Sequence, residues 1–306
     1  MSFIIKDFGA EVVLYESPEL EIQPAARDHS IFDGIGALAS DVGFFGYYGG
    51  VRLLKATVKR FYDYCRENNH ELHERNFTLR YSSNVPPQVG MAGSSAIITA
   101  CLRCLMEFYN VTIPRGKQPN LILSVENDEL RIPAGLQDRV IQVYEGLVFM
   151  NFKEEIMGTQ GYGIYEELSP DLLPPLFVAY TTKLSEGTEV FHNDIRGRFN
   201  RGDKEIIDAM QAWAGMAQEV RDLLLAGKGD LIGPVLDRNF DLRKKLYKMS
   251  PGNLAMVDAA RKAGGTAKFT GSGGAIVGTY PDEASYKKIV ASLEPLGVKV
   301  FKPTIK

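Results

Sequence analysis

Apolar and polar positions alternate along Phe77-Thr78-Leu79-Arg80-Tyr81-Ser82, and that period of two predicts a strand with Phe77, Leu79 and Tyr81 on one face. A short loop later the period changes. Ile97, Cys101, Cys104, Leu105 and Phe108 fall on one helical stripe, which predicts a helix opening near Ser94. Upstream, residues 11–15 read as a strand, a turn follows at Ser17-Pro18, and residues 21–24 read as an edge. Residues 33–45 are glycine-rich and fit no period. From Gly49 a long helix is expected, with Val51, Leu54, Val58, Phe61, Tyr62 and Cys65 as its apolar face and Arg52, Lys55, Lys59 and Arg60 largely opposite. The run 121–126 fits helix or strand equally, a helical pattern starts near Asp138, and residues 146–152 read as a strand.

The diproline Pro174-Pro175 marks a break before a strand at 176–180. Helical patterns follow at 204–225, 230–246 and 254–262, then a Gly-rich turn and a strand, a helix at 282–293 and a last strand at 298–301. Strands mixed with helices in this way predict an α+β fold. The 306 residues, 45% of them hydrophobic, suffice for two cores, and the break suggests domains of 1–173 and 174–306.

Net charge of -3 with both signs interspersed gives no basic run for nucleic acid, and no apolar segment approaches a membrane span. The first residues lack the regions of a signal peptide, and three cysteines (Cys65, Cys101, Cys104) suit a reducing, cytoplasmic setting better than a disulfide framework. Cys101 and Cys104 form a CxxC, but in mid-helix and without a second pair, so a packing role is expected. The four histidines are scattered; His192 reads as a solvated loop residue.

Candidate chemistry concentrates where strand meets helix, at Pro86-Pro87-Gln88-Val89-Gly90-Met91-Ala92-Gly93-Ser94-Ser95-Ala96. A helix start leaves backbone N–H groups unpaired at the positive end of the dipole. Gly90 and Gly93 carry no side chain to hold a phosphate away, and Ser94 and Ser95 offer hydroxyls to phosphate or Mg²⁺. The stretch is neither a Walker A loop nor a GxGxxG fingerprint; an ordinary capped helix is the alternative. Two further clusters stand out. One is Glu126 with Ala134-Gly135-Leu136-Gln137-Asp138-Arg139, where an arginine beside the aspartate keeps it ionised, as at any surface ion pair. The other is Ala267-Lys268-Phe269-Thr270-Gly271-Ser272-Gly273-Gly274-Ala275, small residues before a strand.

Taken in order, these three clusters resemble the second, catalytic and third motifs of the GHMP kinases, with a spelling similar to the sugar-1-kinase branch. Gly135-Leu136-Gln137-Asp138-Arg139, Tyr47-Tyr48-Gly49-Gly50-Val51-Arg52 and Asn239-Phe240-Asp241-Leu242-Arg243 are most similar to its glucuronokinase-like group. The resemblance implies a two-domain GHMP kinase fold, with an N-terminal α+β nucleotide-binding domain and a ferredoxin-like C-terminal one. It implies that Pro86, Gly90, Met91, Ala92, Gly93, Ser94, Ser95 and Ala96, with Gly271, Ser272 and Gly273, hold ATP. Asp138 would orient the attacking hydroxyl, Arg139 would touch the substrate, and Ser95 and Glu126 would bind Mg²⁺. The implied activity is phosphorylation of the anomeric hydroxyl of a sugar acid, D-glucuronate first, with Arg139 or Arg52 facing its carboxylate. Fucose, heptose and galacturonate are alternative acceptors. The family's first motif, a sugar-holding loop, has no match in residues 1–8, which implies a shortened chain, an incomplete sugar pocket, or a relative that binds without catalysing. Asn239 and Arg243 read otherwise as a solvated helix face.

Overall fold

A computed structural model describes residues 1–25, 28, 49–182 and 189–306, with the side chains of residues 189–194 outside the description. The glycine-rich stretch 33–45 and the pair Tyr47-Tyr48 therefore lie outside the described residues. The chain forms two compact units. One comprises Ser2–Val85 and Ala92–Glu167; the other comprises Leu168–Lys306 with Met1 and Pro86–Met91.

In the first unit, β1 (Ser2–Phe3) is short, β2 (Ala10–Glu16) is long, and β3 (Glu21–Ile22) is brief. Helix α1 (Gly50–Glu67) precedes β4 (Phe77–Ser83). Strands β2 and β3 flank β4, antiparallel and parallel respectively. The alternation along β4 holds at Phe77, Leu79 and Tyr81, which are buried, and at Arg80, which is exposed, while Thr78 is buried too, its hydroxyl satisfied by donating to that of Ser17. Helix α1 begins where expected for a physical reason. The Gly50 amide donates to Asp28 Oδ1 (2.9 Å) and to the Tyr81 hydroxyl (3.0 Å), and a Cβ at Gly50 would fall 1.9 Å from the Tyr81 ring. Its buried face runs through Leu53, Leu54, Ala56, Thr57, Phe61 and Cys65; Tyr62, expected on that face, is half exposed.

Helix α2 (Gly93–Tyr109) packs Ile97, Ile98, Cys101, Leu102 and Leu105 into the same core. The ambiguous run 121–126 is helical: α3 (Gln118–Ser124) continues into a π-helical turn, Val125–Glu129. Then come α4 (Leu136–Tyr144), β5 (Leu147–Asn151), α5 (Glu154–Gln160) and β6 (Ile164–Leu168). Strand β5 lies between β1 and β6 in a second sheet, over a small cluster of Val140, Ile141, Val148 and Met150.

The other unit opens with β7 (Leu176–Thr181), followed by helices α6 (Glu189–Asn200), α7 (Lys204–Leu225), α8 (Gly233–Leu246) and α9 (Pro251–Lys262). It closes with β8 (Lys268–Phe269), β9 (Ala275–Thr279), α10 (Glu283–Leu293) and β10 (Val298–Phe301). The sheet order β10-β7-β9-β8, all antiparallel, is the fourth-first-third-second order of a ferredoxin-like sandwich. Phe177, Phe240, Val257, Phe269, Ile276 and Ile289 fill its core. His192, read from sequence as a loop residue, lies on the helical backbone of α6 instead. No helix among the described residues is long and apolar enough to cross a membrane.

Candidate active site

The turn into α2 is built from unusual backbone. Gln88, Gly90 and Ala92 all take the left-handed conformation, at φ 58°, 67° and 57°. A left-handed alanine costs about 1–2 kcal/mol, and Ala92 is held by use: its carbonyl accepts the Ala96 amide (3.1 Å) and the Ser95 hydroxyl (2.9 Å). At Gly90 glycine is required twice over, by its φ and by its surroundings. A Cβ there would lie 3.0 Å from the Gly273 carbonyl and 3.2 Å from the Ser272 amide. A Cβ at Gly271 would in turn meet the Gly90 carbonyl at 2.9 Å, and the Thr270 hydroxyl donates to that carbonyl. Loop 86–91 and the Gly271–Gly273 loop, both in the Leu168–Lys306 unit, are thus packed backbone to backbone. The missing side chain at Gly90 makes room for that loop, a reason the sequence reading did not include.

Helix α2 has no side-chain cap and no acidic residue in its first turn. The amides of Gly93, Ser94 and Ser95 belong to the turn that a helix leaves without intrahelical partners. An uncapped, acid-free first turn fits an anion such as a nucleotide phosphate.

The two serines divide sharply. Ser95 is fully buried with its hydroxyl on Ala92, whereas the Ser94 hydroxyl donates to Glu126 Oε1 at 2.9 Å. Ser94 and not Ser95 meets Glu126 because one step along the helix turns the side chain by about 100°. Glu126 is itself 3% exposed and lies in the π-helical turn, which re-aims side chains relative to a regular helix. Its other oxygen is paired with Arg139, which is 4% exposed. Arg139 also donates to the Gly135 carbonyl (3.0 Å) and to Asp138 Oδ2 (3.4 Å). Arg139 thus braces two carboxylates from inside through Nη1 and Nη2, while its Nε–H has no hydrogen-bond partner among the described residues. Arg52, the other arginine considered, is half-buried in the first turn of α1.

Asn127 ties the π-turn to the approach of α4, accepting the Ala134 amide at 2.8 Å. Asp138 follows in the first turn of α4. Its side chain keeps 48% of its surface, yet loss of solvation raises its pKa above the ordinary carboxylate value; Arg139 pulls it down and Glu126 pushes it up again. Within the first unit, then, Ser94, Glu126, Arg139 and Asp138 form one connected polar chain. The hydroxyl of Ser94 and the carboxylate of Glu126 are hard oxygen donors of the kind Mg²⁺ takes beside waters and phosphates, so the donor set fits that ion. No group of three or more His, Cys, Asp or Glu side chains suited to a metal occurs among the described residues.

Arg243, read from sequence as solvated, is half-buried and donates to the Gly271 carbonyl at 2.7 Å, its guanidinium 5.3 Å from the Phe269 ring centre. The signal that would have found it is spacing: Arg243 sits three residues after the buried Phe240 and four before Tyr247, over whose ring it lies at 4.9 Å.

Comparison with known proteins adds the following. A model of the GHMP kinases N terminal domain matches residues 53–146, and one of the GHMP kinases C terminal domain matches residues 220–297. Probable glucuronokinase 2 of Arabidopsis thaliana is 45% identical over 297 residues, 95% of this chain and 81% of that protein. Glucuronokinase 1 of the same organism is 42% identical over 296 residues, with the same coverage of each. Among solved structures, Lactococcus lactis galactokinase complexed with galactose superposes with a TM-score of 0.72 at 16% identity, covering 98% of this chain and 86% of that one. L. major mevalonate kinase in complex with R-mevalonate gives 0.64 at 15%, covering 99% and 89%.

Proposed function

The chain belongs to the GHMP kinase family, and we propose that it transfers the γ-phosphate of ATP to the anomeric hydroxyl of a sugar acid, D-glucuronate above all. The names of its two Arabidopsis relatives support that acceptor. The observation that carries the reading is the connected set Ser94–Glu126–Arg139–Asp138 at the mouth of an uncapped helix. Phosphoryl transfer asks a protein chiefly for positioning and charge stabilisation. The first-turn amides of α2 receive phosphate oxygens. Asp138, half exposed, accepts the proton of the attacking hydroxyl. Arg139 holds Asp138 and Glu126 in place. Ser94 and Glu126 would hold Mg²⁺, which supplies charge neutralisation along the phosphates.

The test is ADP release measured across D-glucuronate, D-galacturonate, L-fucose and a heptose. Turnover of D-glucuronate with the highest kcat/KM is expected. Nucleotide binding without turnover on any sugar would instead identify a binding protein that kept the fold. Turnover unchanged in Asp138→Asn would remove the aspartate from the mechanism.

A further inference from the structure

The second unit contains a pair of cations that the proposed chemistry leaves unused. Lys268 opens β8 and Arg243 lies in the last turn of α8. Both are half-buried. Lys268 Nζ donates to the Phe269 carbonyl at 2.8 Å, and Arg243 Nη1 donates to the Gly271 carbonyl at 2.7 Å, so both grip the segment that leads into the Gly-rich loop. Lysine has three N–H donors and arginine five, so each keeps donors to spare after these bonds.

No carboxylate pairs with either among the described residues. The acids nearest on α8 are already committed: Asp237 and Asp241 both pair with Arg261, at 2.8 Å and 2.7 Å, and Asp237 also accepts the Ala267 amide. Burial lowers the pKa of Arg243, while burial and the charge of Arg243 lower that of Lys268 to about 8. Two desolvated, mutually repelling cations with no counter-charge among the described residues are a costly pair, and an anion relieves both costs at once. Arg243 adds a planar fork suited to two oxygens, with Phe269 and Tyr247 holding its plane.

We propose that Lys268 and Arg243 form an anion site that takes a phosphate or carboxylate group of one of the two substrates. The proposal rests on the sugar-kinase reading above only for the identity of those substrates. The two sources of the anion, nucleotide phosphate and sugar carboxylate, are separated by experiment. The full chain is titrated calorimetrically with MgADP and, separately, with D-glucuronate, as wild type, Lys268→Gln and Lys268→Arg. Loss of a charge-assisted contact in Lys268→Gln is expected to weaken one ligand by about tenfold or more while the other stays within about twofold. The ligand that weakens names the source, and Lys268→Arg is expected to restore it largely.

Melting of the unliganded chain separates this from a structural role. Removing an unpaired cation leaves the melting temperature of Lys268→Gln unchanged or raised, whereas a structural lysine would lower it. Unchanged affinity for both ligands, or a lowered melting temperature with Lys268→Arg no better than Lys268→Gln, overturns the site. Should wild type bind neither substrate, the sugar-kinase reading fails, and inorganic phosphate becomes the probe. Phosphate that raises the melting temperature of wild type but not of Lys268→Gln sustains the anion site, and equal response in both abolishes it.

Discussion

Asp138 carries the sharpest expectation at the scale of single residues. Asp138→Asn keeps the shape and removes the base, so kcat should fall by roughly 10²–10⁴-fold with little change in melting temperature. The sign of the pH dependence follows from its raised pKa. A base works ionised, so kcat/KM should fall as pH drops through a value above the ordinary ~3.9 of an aspartate, and Asp138→Asn should flatten that limb. For stability the same shift acts oppositely. The folded chain holds this proton more tightly than the unfolded one, so the contribution is present at low pH and is lost as pH rises through the folded pKa. The serines separate in the same way. Ser94→Ala should cut turnover and leave the fold intact, because its hydroxyl meets Glu126. Ser95→Ala should cost about 1 kcal/mol of stability, because its buried hydroxyl holds the Ala92 carbonyl. Urea melts beside kinetics on each variant decide; equal kinetic losses would erase the distinction. Nothing in Gly93-Ser94-Ser95 written as letters tells the two hydroxyls apart: only the exact register of the helix start does, and that is set by a left-handed Ala92. Arg139 was legible as a neighbour of Asp138 but not as the brace of Glu126, because a pairing across thirteen positions depends on how α4 docks on the π-turn.

Among elements, the legible ones are those whose own residues decide them. Helix α7 begins at Lys204 because Asp203 caps it, accepting the Glu205 amide, and β10 covers the expected 298–301. Strand β4 was readable because three of its apolar residues face one core. Helix α5 was not, since none of its residues is buried and no stripe marks it. The π-helical turn was equally invisible: an extra residue per turn leaves no trace in composition, yet it is what brings Glu126 to Ser94. The Gly-rich loops were read as making space for phosphate, and the structure gives them a second task, close packing on one another. That task predicts the outcome of Gly90→Ala. A methyl group at 3.0 Å from the Gly273 carbonyl, at φ 67°, must push the backbone of both loops apart. Strain of this kind costs of order 1–3 kcal/mol, so the melting temperature should fall and KM for ATP should rise together. Gly135→Ala is the control, having nothing within 4 Å of the added carbon and an ordinary φ of -126°. Equal effects of the two substitutions would refute the packing argument.

For the whole molecule, the two units have separate cores, and separate cores ordinarily invite separate unfolding. The path of the chain argues otherwise. Residues 86–91 belong by their contacts to the Leu168–Lys306 unit, although Val85 before them and Ala92 after them belong to the other. Unfolding the second unit would release the Gly90 loop from Gly271–Gly273 and leave the entry to α2 without its anchor. The single tryptophan allows a direct test. Trp213 lies on α7, with its Nε1–H donating to the Asn239 carbonyl, so its fluorescence follows the second unit alone, while far-ultraviolet dichroism follows helices of both. The two urea curves should coincide in the wild type. Phe240→Ala removes a ring that is 1% exposed and set edge-on to Phe269 at 5.2 Å, in the strand that leads to the Gly-rich loop. Such a truncation costs about 3–5 kcal/mol, and it should shift both curves to lower urea together and raise KM for ATP, although Phe240 lies in the core of its unit. A fluorescence curve that moves alone, with dichroism and KM unchanged, would mean that the packing of the Gly90 loop on Gly271–Gly273 contributes nothing to its order.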